Sequence, residues 1–181
     1  DVRCRIVANS AYVLARALTI SIRYSFVRVQ GGGTKQTPAE KSVIQYPSQQ
    51  RLLAPLLALA YALHFTGTAM RQQYSKYSSA VYGSSTTNGT KVEEAMASLL
   101  PRLHLESAGL KALVTALVAD GMERCRKACG GHGFLSNAGF GDLLTSYLPM
   151  CTLEGTREVL GQQTGRSLLK LRKMKRMKKM K

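Results

Sequence analysis

Between about Arg5 and Val29 the apolar residues Val7, Ala11, Leu14, Leu18, Ile22 and Phe26 recur at steps of three and four. That spacing draws a stripe along one face of an α-helix and does not suit a strand, whose faces alternate at every residue. A second helix is expected from Pro47-Ser48, with Leu53, Leu56, Leu57, Ala60 and Leu63 on its inner face, turning polar through Gln72 to Ser79. A third starts around Val92-Glu93-Glu94, with a bend expected at Pro101, and runs through Leu110, Leu113, Leu117 and Met122 to Cys129, where Gly130 suits a left-handed helix stop. The last begins near Thr156 and carries Val159, Leu160, Leu168 and Leu169 into a basic end. The breaks are Gly31-Gly32-Gly33-Thr34, the loop from Gly83 to Gly89, and an irregular segment from Gly131 to Cys151. Strand alternation is nowhere sustained, so the expected fold is all-α: an antiparallel four-helix bundle whose stripes face a common core.

Composition supports a packed body and divides the charge. Of 181 residues, 45% are hydrophobic, enough to build a core, and the length suits one domain or part of a larger protein. The net charge is +16, and eight of those charges lie between Lys170 and Lys181, where no acid occurs. The expected division is therefore a bundle over 1–169 and a basic Lys/Met-rich tail over 170–181. Met174, Met177 and Met180 recur every third residue in that tail, which allows a competing reading: a non-enzymatic basic helical module docking on an acidic surface. No aromatic residue interleaves the cations for base stacking, so a specific nucleic-acid partner is not expected.

The apolar stretch from Leu52 to Leu63 is interrupted by Pro55 and followed by His64, against the roughly 20 residues needed to span a bilayer. It is expected to be a buried helix, with no transmembrane segment. Cys4, Cys125, Cys129 and Cys151 show neither CxxC spacing nor disulfide-framework density, and with three histidines no metal site is expected; a reducing compartment fits best. The first residue is Asp1, so the chain is read as a fragment or processed product.

Three local features could carry chemistry. The first, Arg23-Tyr24-Ser25-Phe26-Val27-Arg28-Val29-Gln30, places Arg28 and Gln30 at a helix C-terminus, where a cation favours the last carbonyls. The second runs Cys125-Arg126-Lys127-Ala128-Cys129-Gly130-Gly131-His132-Gly133-Phe134; a helix and not a strand precedes its glycines, so a Rossmann turn is excluded. In the third, Cys151-Thr152-Leu153-Glu154-Gly155-Thr156, Glu154 falls between the apolar Tyr147-Leu148-Pro149-Met150 and a helix start. A carboxylate in such surroundings either complements the helix end or, desolvated, serves as a base near neutral pH.

In this order, with Ile44-Gln45-Tyr46-Pro47-Ser48-Gln49-Gln50-Arg51-Leu52-Leu53-Ala54-Pro55-Leu56 and Ala108-Gly109-Leu110-Lys111-Ala112 between them, the sequence resembles the C-terminal part of the peroxisomal acyl-CoA oxidases, within the acyl-CoA dehydrogenase superfamily. The resemblance reaches to about Lys170. It implies an FAD enzyme that oxidises fatty acyl-CoA to trans-2-enoyl-CoA and passes the electrons to dioxygen, giving hydrogen peroxide in peroxisomal β-oxidation. By the same resemblance Glu154 is the catalytic base that removes the α-proton. Arg28 and Gln30 hold the FAD pyrophosphate and adenosine end across a homodimer interface, and Gly130 and Gly131 form a backbone turn close to the cofactor. Gly155 contacts substrate, and Thr156 lies near the flavin phosphates at a helix N-terminus.

Two positions depart from the family wording. Gly31-Gly32-Gly33 replace its Phe-Gly, and Thr156 stands where oxidases more often carry Asp or Asn. The Thr form is commoner among acyl-CoA dehydrogenases that use an electron carrier, which is the rival within the enzyme class. A peroxisomal location follows from the family alone, because Lys178-Lys179-Met180-Lys181 is not a Ser-Lys-Leu address. The family's other domains lie outside this sequence, so little or no activity is expected of the 181 residues alone.

Overall fold

A computed structural model describes residues 2–31, 40–82 and 89–179. Among them the chain folds into α1 (Val2–Val27), a two-residue ribbon of β1 (Val29–Gln30) and β2 (Lys41–Ser42), α2 (Pro47–Tyr82), α3 (Gly89–Ala128), α4 (Phe140–Tyr147) and α5 (Arg157–Lys179). The fold is all-α, as expected, and four long helices carry it. The breaks at Gly32-Gly33-Thr34 and at residues 83–88 lie outside the described residues.

Three levels of contact fix how α1, α2 and α3 run. Near one end a Cβ on Gly67 would come within 2.9 Å of the Ala8 backbone, so α1 and α2 meet there almost backbone to backbone. In the middle, Gly121 of α3 faces Leu14 of α1 and Leu56 of α2. At the other end the Gln49 amide donates to Ser25 Oγ at 2.8 Å and to the Ala128 carbonyl at 2.9 Å. Hence α1 and α3 run one way and α2 the other. Val7, Ala11, Leu14 and Leu18 meet Leu53, Leu56, Ala60 and Leu63 and then Val114, Val118, Met122 and Cys125 in one core. Burying each of the larger apolar side chains contributes roughly 1.5–3 kcal/mol.

The fourth long helix joins differently. Leu160 of α5 packs with Ala108 and Ala112 in a separate small cluster, Gln163 hydrogen-bonds His104, and Thr164 sits against Gly109. α5 is thus antiparallel to α3 and lies on its first half, so its stripe does not enter the main core.

Several local expectations change. α1 ends two residues before Val29, and Phe26, at the end of its stripe, is exposed. Leu57, Leu113, Leu117 and Val159 also face solvent, because the inner faces of their helices are set by neighbours one position away. α2 and α3 continue unbroken through Pro55 and Pro101. α2 is therefore long and apolar enough, by length and composition, to cross a membrane, while its Leu53, Leu56, Ala60 and Leu63 are buried in the core. The segment from Gly131 to Cys151 contains α4, whose Phe140, Leu143 and Tyr147 enter the core. No break separates Leu169 from Lys170: α5 carries the basic residues on as helix to Lys179, while Met180 and Lys181 lie outside the described residues.

Candidate functional site

The first two motifs meet at one end of the bundle. Arg28 closes the last turn of α1, its N–H donating to the Tyr24 carbonyl at 2.8 Å, and its own carbonyl accepts from Val43 N–H at 2.8 Å. Gln30 lies beyond the helix on β1, paired with Lys41, which corrects its expected place at a helix C-terminus. The Tyr46 hydroxyl donates to the Gln30 carbonyl at 2.6 Å, and a Cβ on Gly31, at φ +75°, would overlap that hydroxyl. From the second motif His132 Nδ1 shares a hydrogen bond of 3.1 Å with the Tyr24 hydroxyl. Gln49 ties the Ser25 side chain to the end of α3.

The glycines of this end serve different purposes. Gly130, at φ +58°, is the left-handed stop after α3. Cβ atoms on Gly130 and Gly131 would meet nothing of the described chain within 4 Å, so their backbone faces open space. Gly133, which the sequence did not single out, is the constrained one: a Cβ there would overlap the Arg126 carbonyl oxygen. Arg28 is exposed and makes no ion pair among the described residues, whereas Arg126 is taken up by a bidentate contact with Glu123 at 2.6 and 2.7 Å.

The third motif lies elsewhere. Its loop packs against Lys111, 17 residues before the end of α3, which places it about 25 Å along the helix from the ribbon end. Glu154 adopts φ +60°, the left-handed region, and among the described residues it is the only non-glycine to do so. Such a backbone costs an L-residue about 1–2 kcal/mol, so its surroundings must hold it. The buried Lys111 ammonium donates to the carbonyls of Cys151 at 3.1 Å and Gly155 at 2.6 Å. Arg3 Nε donates to the Glu154 carbonyl at 3.0 Å and lies 3.8 Å from its carboxylate. Burial is the main cause that pushes Lys111 below its ordinary pKa; Cys151 and Glu154 oppose it and Arg3 adds to it.

Gly155, at φ +111°, allows the chain to turn where a Cβ would press within 2.9 Å of Leu160. Thr156 then caps α5: its carbonyl accepts from Leu160 N–H at 3.0 Å, and its hydroxyl faces Val159 N–H at 3.5 Å. The expected desolvation of Glu154 is absent within this chain, since 44% of its side-chain surface is exposed. Tyr147 points inward, its hydroxyl 2.9 Å from Ser10 Oγ, and Leu148 and Leu153 face solvent, so none of them roofs the carboxylate. A cleft of about 340 Å³ between α1 and α4, lined by Val2, Ile6, Leu143, Tyr147 and Met150, opens close by.

Sequence reasoning passed over Lys111 and Arg3. The signal for Lys111 was present: it shares a helix face with Val114, Val118 and Met122, and a cation on a buried stripe needs partners. Among the described residues no three His, Cys, Asp or Glu side chains gather as a metal site, and all four cysteines are free thiols.

The family model for the acyl-CoA oxidase C-alpha1 domain matches residues 1–169. Peroxisomal acyl-coenzyme A oxidase 1 of Rattus norvegicus is 39% identical over 170 residues, covering 94% of this chain and 24% of the rat protein. Its Arabidopsis thaliana counterpart is 41% identical over 169 residues, covering 93% and 24%. Among solved structures, acyl-CoA oxidase 1 of Yarrowia lipolytica superposes with a TM-score of 0.84 at 34% identity, covering 93% of this chain and 25% of that one. Acyl-CoA oxidase-1 of Caenorhabditis elegans, solved with FAD and ATP, gives 0.80 at 32%, covering 93% and 24%. The chain spans about a quarter of the length of these relatives. It belongs to the acyl-CoA oxidase family, of which residues 1–169 are the C-alpha1 domain.

Proposed function

We propose that this domain supplies the base and part of the cofactor site of a peroxisomal acyl-CoA oxidase that converts fatty acyl-CoA to trans-2-enoyl-CoA. The observation that carries this reading is Glu154 itself: a carboxylate held in a strained backbone, its loop fastened by two cations, at the motif where the family places its base. FAD, when bound, supplies the acceptor for the β-hydride and the route of the electrons to dioxygen, which becomes hydrogen peroxide. Glu154 takes the α-proton onto a carboxylate oxygen. Arg3, close to that carboxylate, steadies it through a contact that remains partly open to solvent.

The ribbon end fits a dinucleotide phosphate. Arg28 offers an exposed guanidinium, without an ion pair among the described residues, that suits two phosphate oxygens, and the open backbone at Gly130 and Gly131 leaves room for close approach. Gln30 extends beside Arg28 on β1, and Thr156 and Gly155 line the start of α5 next to the base. The two halves lie about 25 Å apart along α3, which favours their serving cofactors in different protomers of a homodimer. The names of the relatives support a peroxisomal location, an oxidase in preference to a dehydrogenase, and FAD as cofactor. Packing of α2 against α1 and α3 supports a core helix over a membrane span.

The test grafts residues 1–169 into the rat oxidase in place of its matching segment and measures acyl-CoA-dependent peroxide release. Turnover should appear in the chimera and fall at least about 100-fold in Glu154→Gln, the loss expected of a general base. Unchanged turnover in Glu154→Gln would refute the assignment. The 181-residue chain alone, supplied with FAD, should release little or no peroxide.

A further inference from the structure

We infer that Lys111 is a positioning residue for the Glu154 loop, a role that rests on reading Glu154 as the base: its buried ammonium holds the carbonyls on either side of that residue and so fixes where the carboxylate stands. Lys111 is fully buried and no carboxylate comes within ion-pair distance of its ammonium among the described residues, so the two carbonyl dipoles compensate its charge. Those carbonyls belong to Cys151 and Gly155, four residues apart, with Glu154 between them. The loop's own bonds are few. Thr152 and Leu153 donate to Pro149, and Gly155 donates to Thr152. The last of these closes a turn around Glu154 at 3.2 Å, and Lys111 and Arg3 add to its hold through the carbonyls of Glu154 and of the residue after it.

The two cations differ in what they contribute. Arg3 lies on the first turn of α1 and is partly exposed, so its contact is screened. Lys111 sits mid-helix, with its backbone further fixed by the Thr115 hydroxyl donating to its carbonyl at 2.9 Å. A buried charge on a rigid helix makes a stiff anchor, because a hydrogen bond to an ion is stronger than one between neutral groups. Removing the ammonium leaves two inward carbonyls without a partner and frees Glu154 to relax toward negative φ.

Hydrogen exchange of the 181-residue chain tests this without reference to activity. In Lys111→Met, amides of residues 151–156 should exchange about ten- to a hundredfold faster, with core peptides of α1 and α2 unchanged. Lys111→Gln, which keeps a neutral donor, carries the test if the methionine variant does not fold. Thr115→Val, which spares the contacts to the loop, should leave exchange of 151–156 unaltered. Unchanged protection of 151–156 in the Lys111 variants would overturn the inference. In the chimera, Lys111→Met should lower kcat about ten- to a hundredfold with KM moved less than about threefold, and should raise the isotope effect for α-deuterated acyl-CoA. A normal kcat and isotope effect beside an inactive Glu154→Gln would sink the role of Lys111 alone. An active Glu154→Gln would sink the base assignment, leaving the exchange result to decide what Lys111 holds.

Discussion

The two regions that frame the second half of α3 are held by opposite means. At the ribbon end the contacts are neutral and interlocking: Gln49 bridges Ser25 and Ala128, Tyr24 meets His132, and Tyr46 meets Gln30. At the loop end two cations grip carbonyls, and the residue between them is strained. The first arrangement stabilises the fold and leaves Arg28 and the backbone of Gly130 and Gly131 exposed at its surface. The second spends stability to place one carboxylate. Substitutions should therefore separate the regions: at the ribbon end they cost stability, and at Glu154 they raise it while removing function.

The largest effect is expected at Gly133. Alanine there would drive a Cβ into the Arg126 carbonyl, which cannot yield without shifting the end of α3, so Gly133→Ala should cost about 3 kcal/mol in urea unfolding. A change below about 0.5 kcal/mol would show that the ribbon end is softer than described. Next is Gln49→Leu, which removes the amide from the buried Ala128 carbonyl and from Ser25 Oγ, itself still donating to the Ser21 carbonyl at 2.6 Å, and should cost about 2 kcal/mol.

Alkaline titration distinguishes the regions through two buried acids. Burial pushes Cys129, at the ribbon end, from 9.0 to about 11, and pushes Tyr147, near the loop, from 10.0 to about 12. In both cases folding favours the neutral form, so the unfolded chain loses its proton first. The stability is whole below the unfolded value and is lost between about pH 9 and 11 for Cys129, and between about pH 10 and 12 for Tyr147. Cys129→Ala should flatten the lower part of the fall and Tyr147→Phe the upper part, read as unfolding free energy at pH 7, 9.5 and 11. A pH profile that neither variant alters would count against this division.

The smallest effect has the opposite sign. Glu154→Gly relieves the left-handed backbone and should stabilise the chain by up to about 1 kcal/mol while abolishing turnover in the chimera. A destabilising result would mean that the loop is held by the Glu154 side chain and not through its carbonyls.

What the sequence discloses tracks the length scale of the interaction. Helical spacing identifies α1, α2, α3 and α5, Gly130 marks the end of α3, and Thr156 the start of α5, because each is a local rule acting within a turn or two. The ribbon of two residue pairs is too short for alternation to show, and α4, eight residues long, is hidden by the glycines before it and Pro149 after it. Motif wording points to Glu154 and Arg28 as candidates, but part of the hold on Glu154 comes from residues 43 and 151 positions away, Lys111 and Arg3. Exposure of the carboxylate was equally invisible, because it depends on Tyr147 turning inward to Ser10, a pairing across 137 residues.

The unbroken run of α3 from Lys111 to Ala128 gives the domain a built-in gauge. Both regions are mounted on one helix, so their spacing and their relative bearing follow from a residue count. One residue inserted between them would swing one region by about 100° and displace it by about 1.5 Å relative to the other, whereas small changes in side-chain volume leave the bearing untouched. The length of this stretch of α3, more than its composition, therefore sets how the two regions face one another.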